Sequence, residues 1–95
     1  MSNQPILEPP YTFKIKKDVL KTLRKLDTPI RERFLSKLME RCYSPYVPSA
    51  ALRGKLAGYY KIKVGGLRLI YTVVDQKMLL LVVLIDKREN DDVYS

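Results

Sequence analysis

The stretch Leu52–Val74, LRGKLAGYYKIKVGGLRLIYTVV, decides how this chain folds. Tyr59 to Val64 alternates between apolar and polar residues, and so does the run after Gly65-Gly66. Two glycines between alternating runs are a strong signal for a two-residue hairpin loop. With those glycines as the loop, Val64 pairs with Leu67, Lys63 with Arg68 and Lys61 with Ile70. Cross-strand partners share a face. One face then carries Tyr60, Ile62, Val64, Leu67, Leu69, Tyr71 and Val73, which reads as core. The other carries Tyr59, Lys61, Lys63, Arg68, Ile70 and Thr72. On that second face Lys63 lies opposite Arg68, with Lys61 close by. Such like-charge pairs weaken a sheet by up to about 1 kcal/mol each. Either the face is solvated and the lysines stay wet, or a polyanion sits between the charges and turns the repulsion to use.

The rest of the chain narrows the choice. Ninety-five residues make one small domain, with a net charge of +8 and a pI near 9.7. That balance favours a polyanionic partner such as nucleic acid, an acidic protein, or both. No segment is long and apolar enough to span a bilayer, and no basic helix pairs with a wide apolar face, so a membrane partner is not expected. The N-terminus lacks a basic region followed by an apolar run, so no secretory signal is expected. The sole cysteine, Cys42, has no internal partner, and a reducing cytoplasm fits. The sequence has no histidine, the commonest general base and metal ligand. Nor does any zinc-ligand spacing occur. Any catalysis must therefore run on lysine, arginine, tyrosine or carboxylate, with no metal and no cofactor.

From the N-terminus, Met1 to Pro10 reads as a loose leader and residues 11–95 as a single domain. Tyr11 to Ile15 alternates weakly and predicts a first strand. Val19, Leu20, Leu23 and Leu26 fall on one face of a helix over 16–26. Thr28 is expected as the N-cap of a second helix and Pro29 as its first residue. That helix carries Ile30, Phe34, Leu35, Leu38, Met39 and Cys42 on one stripe. Cys42 reads there as a small core hydrophobe. Pro45 and Pro48 end the helix. After the hairpin, MLLLVVLI (78–85) shows no alternation, and is expected to be a strand covered on both faces. The order β-α-α-β-β-β predicts an α+β fold, with a helical hairpin packed on one face of a mainly antiparallel four-stranded sheet. Lys61, Lys63 and Arg68 then point away from the helices, into the open side.

The segments Leu52-Arg53-Gly54, Tyr60-Lys61-Ile62-Lys63, Arg68-Leu69-Ile70-Tyr71 and the ending Lys87-Arg88-Glu89…Val93-Tyr94 occur in order. Together they resemble the RelE group of the RelE/ParE toxin superfamily, over nearly everything after Pro10. The resemblance implies a RelE-like fold and a toxin of a type II toxin–antitoxin pair. It implies a ribosome-dependent, metal-independent endoribonuclease that cuts mRNA in the ribosomal A site by attack of the ribose 2′-hydroxyl. The implied partners are a cognate antitoxin with an acidic or amphipathic segment, mRNA and the 70S ribosome, with DNA reached only through the antitoxin. Lys63 matches the expected base, with Lys61 assisting. The crowding of three cations disfavours charge on each. Arg68 matches the grip on the scissile phosphate, Arg88 the leaving-group position, and Tyr94 the aromatic that stacks on the substrate. Arg53, with Lys55 beside it, matches a basic position near the RNA backbone.

The chain departs from the family pattern in four places. Its hairpin loop is tighter, and Asp86 stands where a glycine is common, able to pair with an active-site cation. Asn90 fills a basic position, and the usual C-terminal helix is missing or barely begun. Two alternatives stay open: a ParE-like toxin that poisons gyrase without catalysis, or a weakly active toxin serving mainly in an autorepressing toxin–antitoxin complex.

Overall fold

The computed structural model of the chain describes residues 8–87. Strand β1 (Thr12–Ile15) is followed by helices α1 (Lys17–Lys25) and α2 (Thr28–Tyr43), then by β2 (Tyr59–Val64), β3 (Leu67–Val74) and β4 (Leu79–Lys87). The strand order is β1-β4-β3-β2. The β2–β3 and β3–β4 pairs are antiparallel, whereas β1 lies parallel to β4. The two helices connect β1 to the far edge strand, and β4 returns beside β1 in the same direction. The sheet is therefore mixed.

The hairpin forms in the register that its alternation predicts: Lys61 opposite Ile70, Lys63 opposite Arg68 and Val64 opposite Leu67. Gly65 takes φ +61°, a conformation that a side chain would strain. Ile62, Val64, Leu69 and Tyr71 are buried with Val19 and Leu23 of α1 and Phe34, Leu38 and Cys42 of α2. Phe34, Leu38 and Cys42 recur every fourth residue, so one stripe of α2 supplies all three. Each such burial contributes about 1.5–3 kcal/mol. Burial pushes the Cys42 thiol up, in keeping with an inert core residue.

Three local expectations change. Helix α2 starts one residue earlier than its Thr-Pro pair suggests. The Asp27 carbonyl accepts the first helical bond, from Arg31 N at 3.0 Å, so Asp27 is the N-cap and Thr28 is already helical. The Arg31 guanidinium donates to the carbonyls of Leu26 (3.0 Å) and Arg24 (3.3 Å) and to Thr28 Oγ1 (3.1 Å), so it satisfies the end of α1 from the start of α2. Met78 is not in a strand; it adopts φ +50° after a turn over Asp75–Lys77, and β4 begins at Leu79.

The third change concerns β4, which is central in the sheet but covered by helices on one face only. Leu84 is 39% exposed on the other face. Its missing alternation has a different cause. Ile70 pairs with Leu84 and the next residue, Tyr71, with Val82, so Val83 is an extra residue, a β-bulge. Before the bulge the even residues Leu80 and Val82 face the core; after it the odd residue Ile85 does. Two phases of alternation run together and read as one apolar block.

Tyrosines tie the sheet to the segment after α2. The Tyr71 hydroxyl donates to the Pro45 carbonyl at 2.8 Å and accepts from Arg41 Nη1 at 2.9 Å. The Tyr71 ring stacks on Tyr60, with centroids 5.5 Å apart. Replacing Tyr71 by Phe removes both hydrogen bonds and keeps the stack; it takes the acceptor from Arg41 Nη1 and leaves the Pro45 carbonyl with Val47 N alone, at 3.2 Å. Urea unfolding is expected to show a loss of about 1–3 kcal/mol. Tyr11 Oη donates to Asp75 Oδ1 at 2.6 Å, and this hydrogen bond is the main reason its pKa is pushed up to about 12. Because the folded value exceeds the ordinary 10, this contribution is whole below pH 10 and is lost as pH rises towards about 12. Tyr46 and Tyr71 are also pushed up, Tyr71 chiefly by burial, so ultraviolet titration is expected to show a late group of tyrosines, from which the Tyr11 share returns towards pH 10 in Asp75→Asn.

Candidate active site on the open face of the sheet

The face of the sheet away from the helices is built in rows across the strands. The first row is Lys63–Arg68–Asp86, across β2, β3 and β4. The next is Lys61–Ile70–Leu84. Neighbours within a row are about 5 Å apart, and rows are about 7 Å apart along a strand. Lys61, Lys63 and Arg68 thus fall within one small patch, as the alternation requires. Lys63 is exposed, Lys61 is half-buried and Ile70 is fully buried.

Arg68 is different. Although it faces the open side, it is only 9% exposed. Its Nε donates to Asp86 Oδ1 and its Nη2 to Asp86 Oδ2, each at 3.1 Å. This is a two-pronged charge-assisted pair, the strongest geometry an arginine forms with a carboxylate. The bulge at Val83 makes it possible. Without that extra residue Asp86 would keep the phase of Leu80 and Val82 and point into the core beneath the helices. Burying an unpaired carboxylate there would cost several kcal/mol. The like-charge juxtaposition of Lys63 and Arg68 is therefore offset within the protein by Asp86. That partnership had one sequence signal: an acid in phase with core residues at the end of an apolar strand implies a shift of phase.

The other sequence-derived residues lie elsewhere. Arg53 and Lys55 are exposed in a short 3-10 turn before β2, with Arg53 as its N-cap and Lys55 inside it. Leu52 N donates to the Tyr59 carbonyl, which puts this turn at the start of β2. Lys63 is four residues further, about 13 Å along the strand. Arg88 and Tyr94 lie outside the described residues, although Lys87, the last residue of β4, pairs with Leu67 beside the Arg68 row. Among the described residues no group of histidine, cysteine or carboxylate side chains is arranged to hold a metal ion. No described helix is long and apolar enough to cross a membrane.

Residues 13–92 match the sequence model of a family described as the ParE toxin of the type II toxin–antitoxin system parDE. The chain belongs to this toxin family. Within it, the similarity runs to the RelE branch. A protein of Escherichia coli described as RelE-like is 44% identical over 87 residues, 90% of each chain. The mRNA interferase toxin RelE of Escherichia coli K12 is 39% identical over 87 residues, again 90% of each. The crystal structure of the isolated Escherichia coli RelE toxin superposes with a TM-score of 0.77 at 37% identity, covering 88% of this chain and 90% of that one. The α+β architecture is thus that of RelE, as the motif resemblance implies.

The Arg68–Asp86 pair makes a stability prediction separable from function. Arg68→Ala leaves a half-buried carboxylate without its partner and is expected to lower unfolding free energy by about 1–3 kcal/mol in urea titrations. Arg68→Lys retains the charge but loses the fork, and falls between the two.

Proposed function

We propose that this protein is an endoribonuclease toxin that cleaves mRNA in the ribosomal A site and is silenced by a cognate antitoxin. The observation that carries the reading is the convergence of Lys61, Lys63 and Arg68 on one open face, with Lys63 directly opposite Arg68. The 39%-identical relative named an mRNA interferase toxin supports the same reaction class. The solved Escherichia coli RelBE toxin–antitoxin complex, whose toxin is 36% identical, supports the antitoxin partner. On a basic face, that partner is an acidic or amphipathic segment.

The reaction needs three things: removal of the 2′-hydroxyl proton, positive charge on the phosphorane, and a proton for the departing 5′-oxygen. Lys63 takes the proton from the 2′-hydroxyl, and Lys61 assists from the next row. The 2′-oxygen bonds to phosphorus as the P–O5′ bond breaks, leaving a cyclic phosphate on one fragment and a 5′-hydroxyl on the other. Arg68 grips the phosphate oxygens with its planar fork. Arg88 attends the leaving oxygen, and Tyr94 stacks on a base, worth about 1–3 kcal/mol. Arg53 and Lys55 hold the RNA backbone further along. All of these are side-chain roles; the reading invokes no metal, and the site of action is cytoplasmic, with the ribosome.

Induction of the chain in a bacterial host, beside Lys63→Ala and Arg88→Ala, tests this reading. Wild type is expected to arrest growth and to produce new in-frame mRNA ends by primer extension. Lys63→Ala is expected to reduce cleavage by about 10²–10⁴-fold, the range for loss of a general base. Arg88→Ala is expected to fold yet lose toxicity. Arrest with intact transcripts and a DNA-damage response would replace this reading with gyrase poisoning.

A further inference from the structure

We propose that Asp86 is a built-in competitor for the phosphate on Arg68, so that RNA engages this arginine only by displacing an internal carboxylate. The inference rests on the reading of Arg68 as the phosphate grip. It starts from the geometry of the pair. Nε and Nη2 of Arg68 each donate to a different oxygen of Asp86 at 3.1 Å. This side-on edge is the one a phosphate occupies with two of its oxygens. Carboxylate and phosphate therefore compete for the same pair of N–H groups.

The surroundings reinforce the competition. The Arg68 side chain is 11% exposed and that of Asp86 is 31%, so the carboxylate is the more accessible partner. Among the described residues the four strands contain no other acidic residue, so Asp86 is their one carboxylate beside Lys61, Lys63 and Arg68. It stands near the end of β4, beyond the residues that pair with β1, and is held by the β3 ladder directly opposite Arg68 in register. Its backbone cannot withdraw without opening the ladder, and it yields only by rotating its side chain. In the resting protein Asp86 neutralises Arg68 and offsets the repulsion from Lys63. On exchange, a phosphodiester takes over both tasks, and the freed carboxylate remains nearby as a repulsive group. The effect is a threshold: weakly held anions fail to displace Asp86, whereas an RNA positioned by other contacts succeeds. Asp86 is thus a positioning residue that acts through Arg68.

The test is equilibrium binding of a fluorescein-labelled 2′-O-methyl RNA hexanucleotide, which cannot be cleaved because its 2′-oxygens are blocked. Wild type, Asp86→Asn, Arg68→Ala and the double variant are compared over a series of salt concentrations. Thermal melts establish that each is folded. Asp86→Ser, which removes the charge with a smaller side chain, replaces Asp86→Asn if the latter unfolds. Asp86→Asn is expected to bind about three- to tenfold more tightly than wild type, the size of removing one like charge beside a partly screened site. Its plot of log K against log salt should steepen by up to about 0.7, because in wild type the freed carboxylate takes up a cation that offsets the counterion released by the phosphate on Arg68. The double variant should bind no more tightly than Arg68→Ala. A merely structural Asp86 would leave the salt slope unchanged. Equal or weaker binding by Asp86→Asn, or a gain that survives Arg68→Ala, overturns the proposal. Growth arrest with new mRNA ends is scored separately on the wild type. Arrest without the Arg68-dependent gain overturns the competition and leaves the nuclease reading standing. The gain without arrest supports the competition and removes the nuclease.

Discussion

The β3–β4 ladder changes phase at Val83, and both faces of the sheet depend on that one extra residue. On the helix side it allows Leu80 and Val82 before the bulge and Ile85 after it to reach the same core. On the open side it delivers Asp86 to Arg68. A regular strand satisfies only one of these demands. Either the carboxylate is driven into an apolar layer, or the two core residues before the bulge are turned out to water. A bulge costs a ladder position and increases the local twist, which is small beside a buried, unpaired charge.

The same constraint explains how a row of cations is tolerated. Lys63 and Arg68 are held opposite each other by the two-glycine turn, and neither can slip without moving every core residue of the hairpin to the wrong face. Core burial thus enforces an electrostatically unfavourable pairing, and Asp86 relieves it from the neighbouring strand. The candidate groups of the open face, Lys61, Lys63 and Arg68, stand on strands rather than loops, so their spacing is inherited from the ladder. Rigid placement of this kind suits chemistry that depends on several side chains meeting one phosphate.

Similarity to RelE runs through the hairpin, both helices and the central strand, at 37% identity to the isolated Escherichia coli toxin with a TM-score of 0.77. On the open face of this chain the arginine is held at rest by a carboxylate. A guanidinium with both prongs of one edge engaged is electrostatically quieter than a free one. The patch is therefore less positive than its lysines and arginine alone suggest. The net charge of +8 overstates the field at this particular spot.

Local pattern was enough to determine the hairpin, its register and the sidedness of its residues. The two glycines set the turn and strict alternation sets the faces, and both are properties of neighbouring residues. The α2 stripe of Phe34, Leu38 and Cys42 was legible for the same reason, and the motif set around Lys61, Lys63 and Arg68 carried the family. Three things were decided only by the tertiary structure. The parallel pairing of β1 with β4 joins segments some sixty-seven residues apart in register, Thr12 with Leu79, and no local signal encodes that partner. The one-sided cover of β4 depends on where the helices lie, whereas hydropathy reports only that a strand is apolar. The pairing of Arg68 with Asp86 depends on a bulge, which periodicity registers merely as lost alternation. Periodicity reports what each residue must do within its own element, and pairing between distant elements decides which charges finally meet.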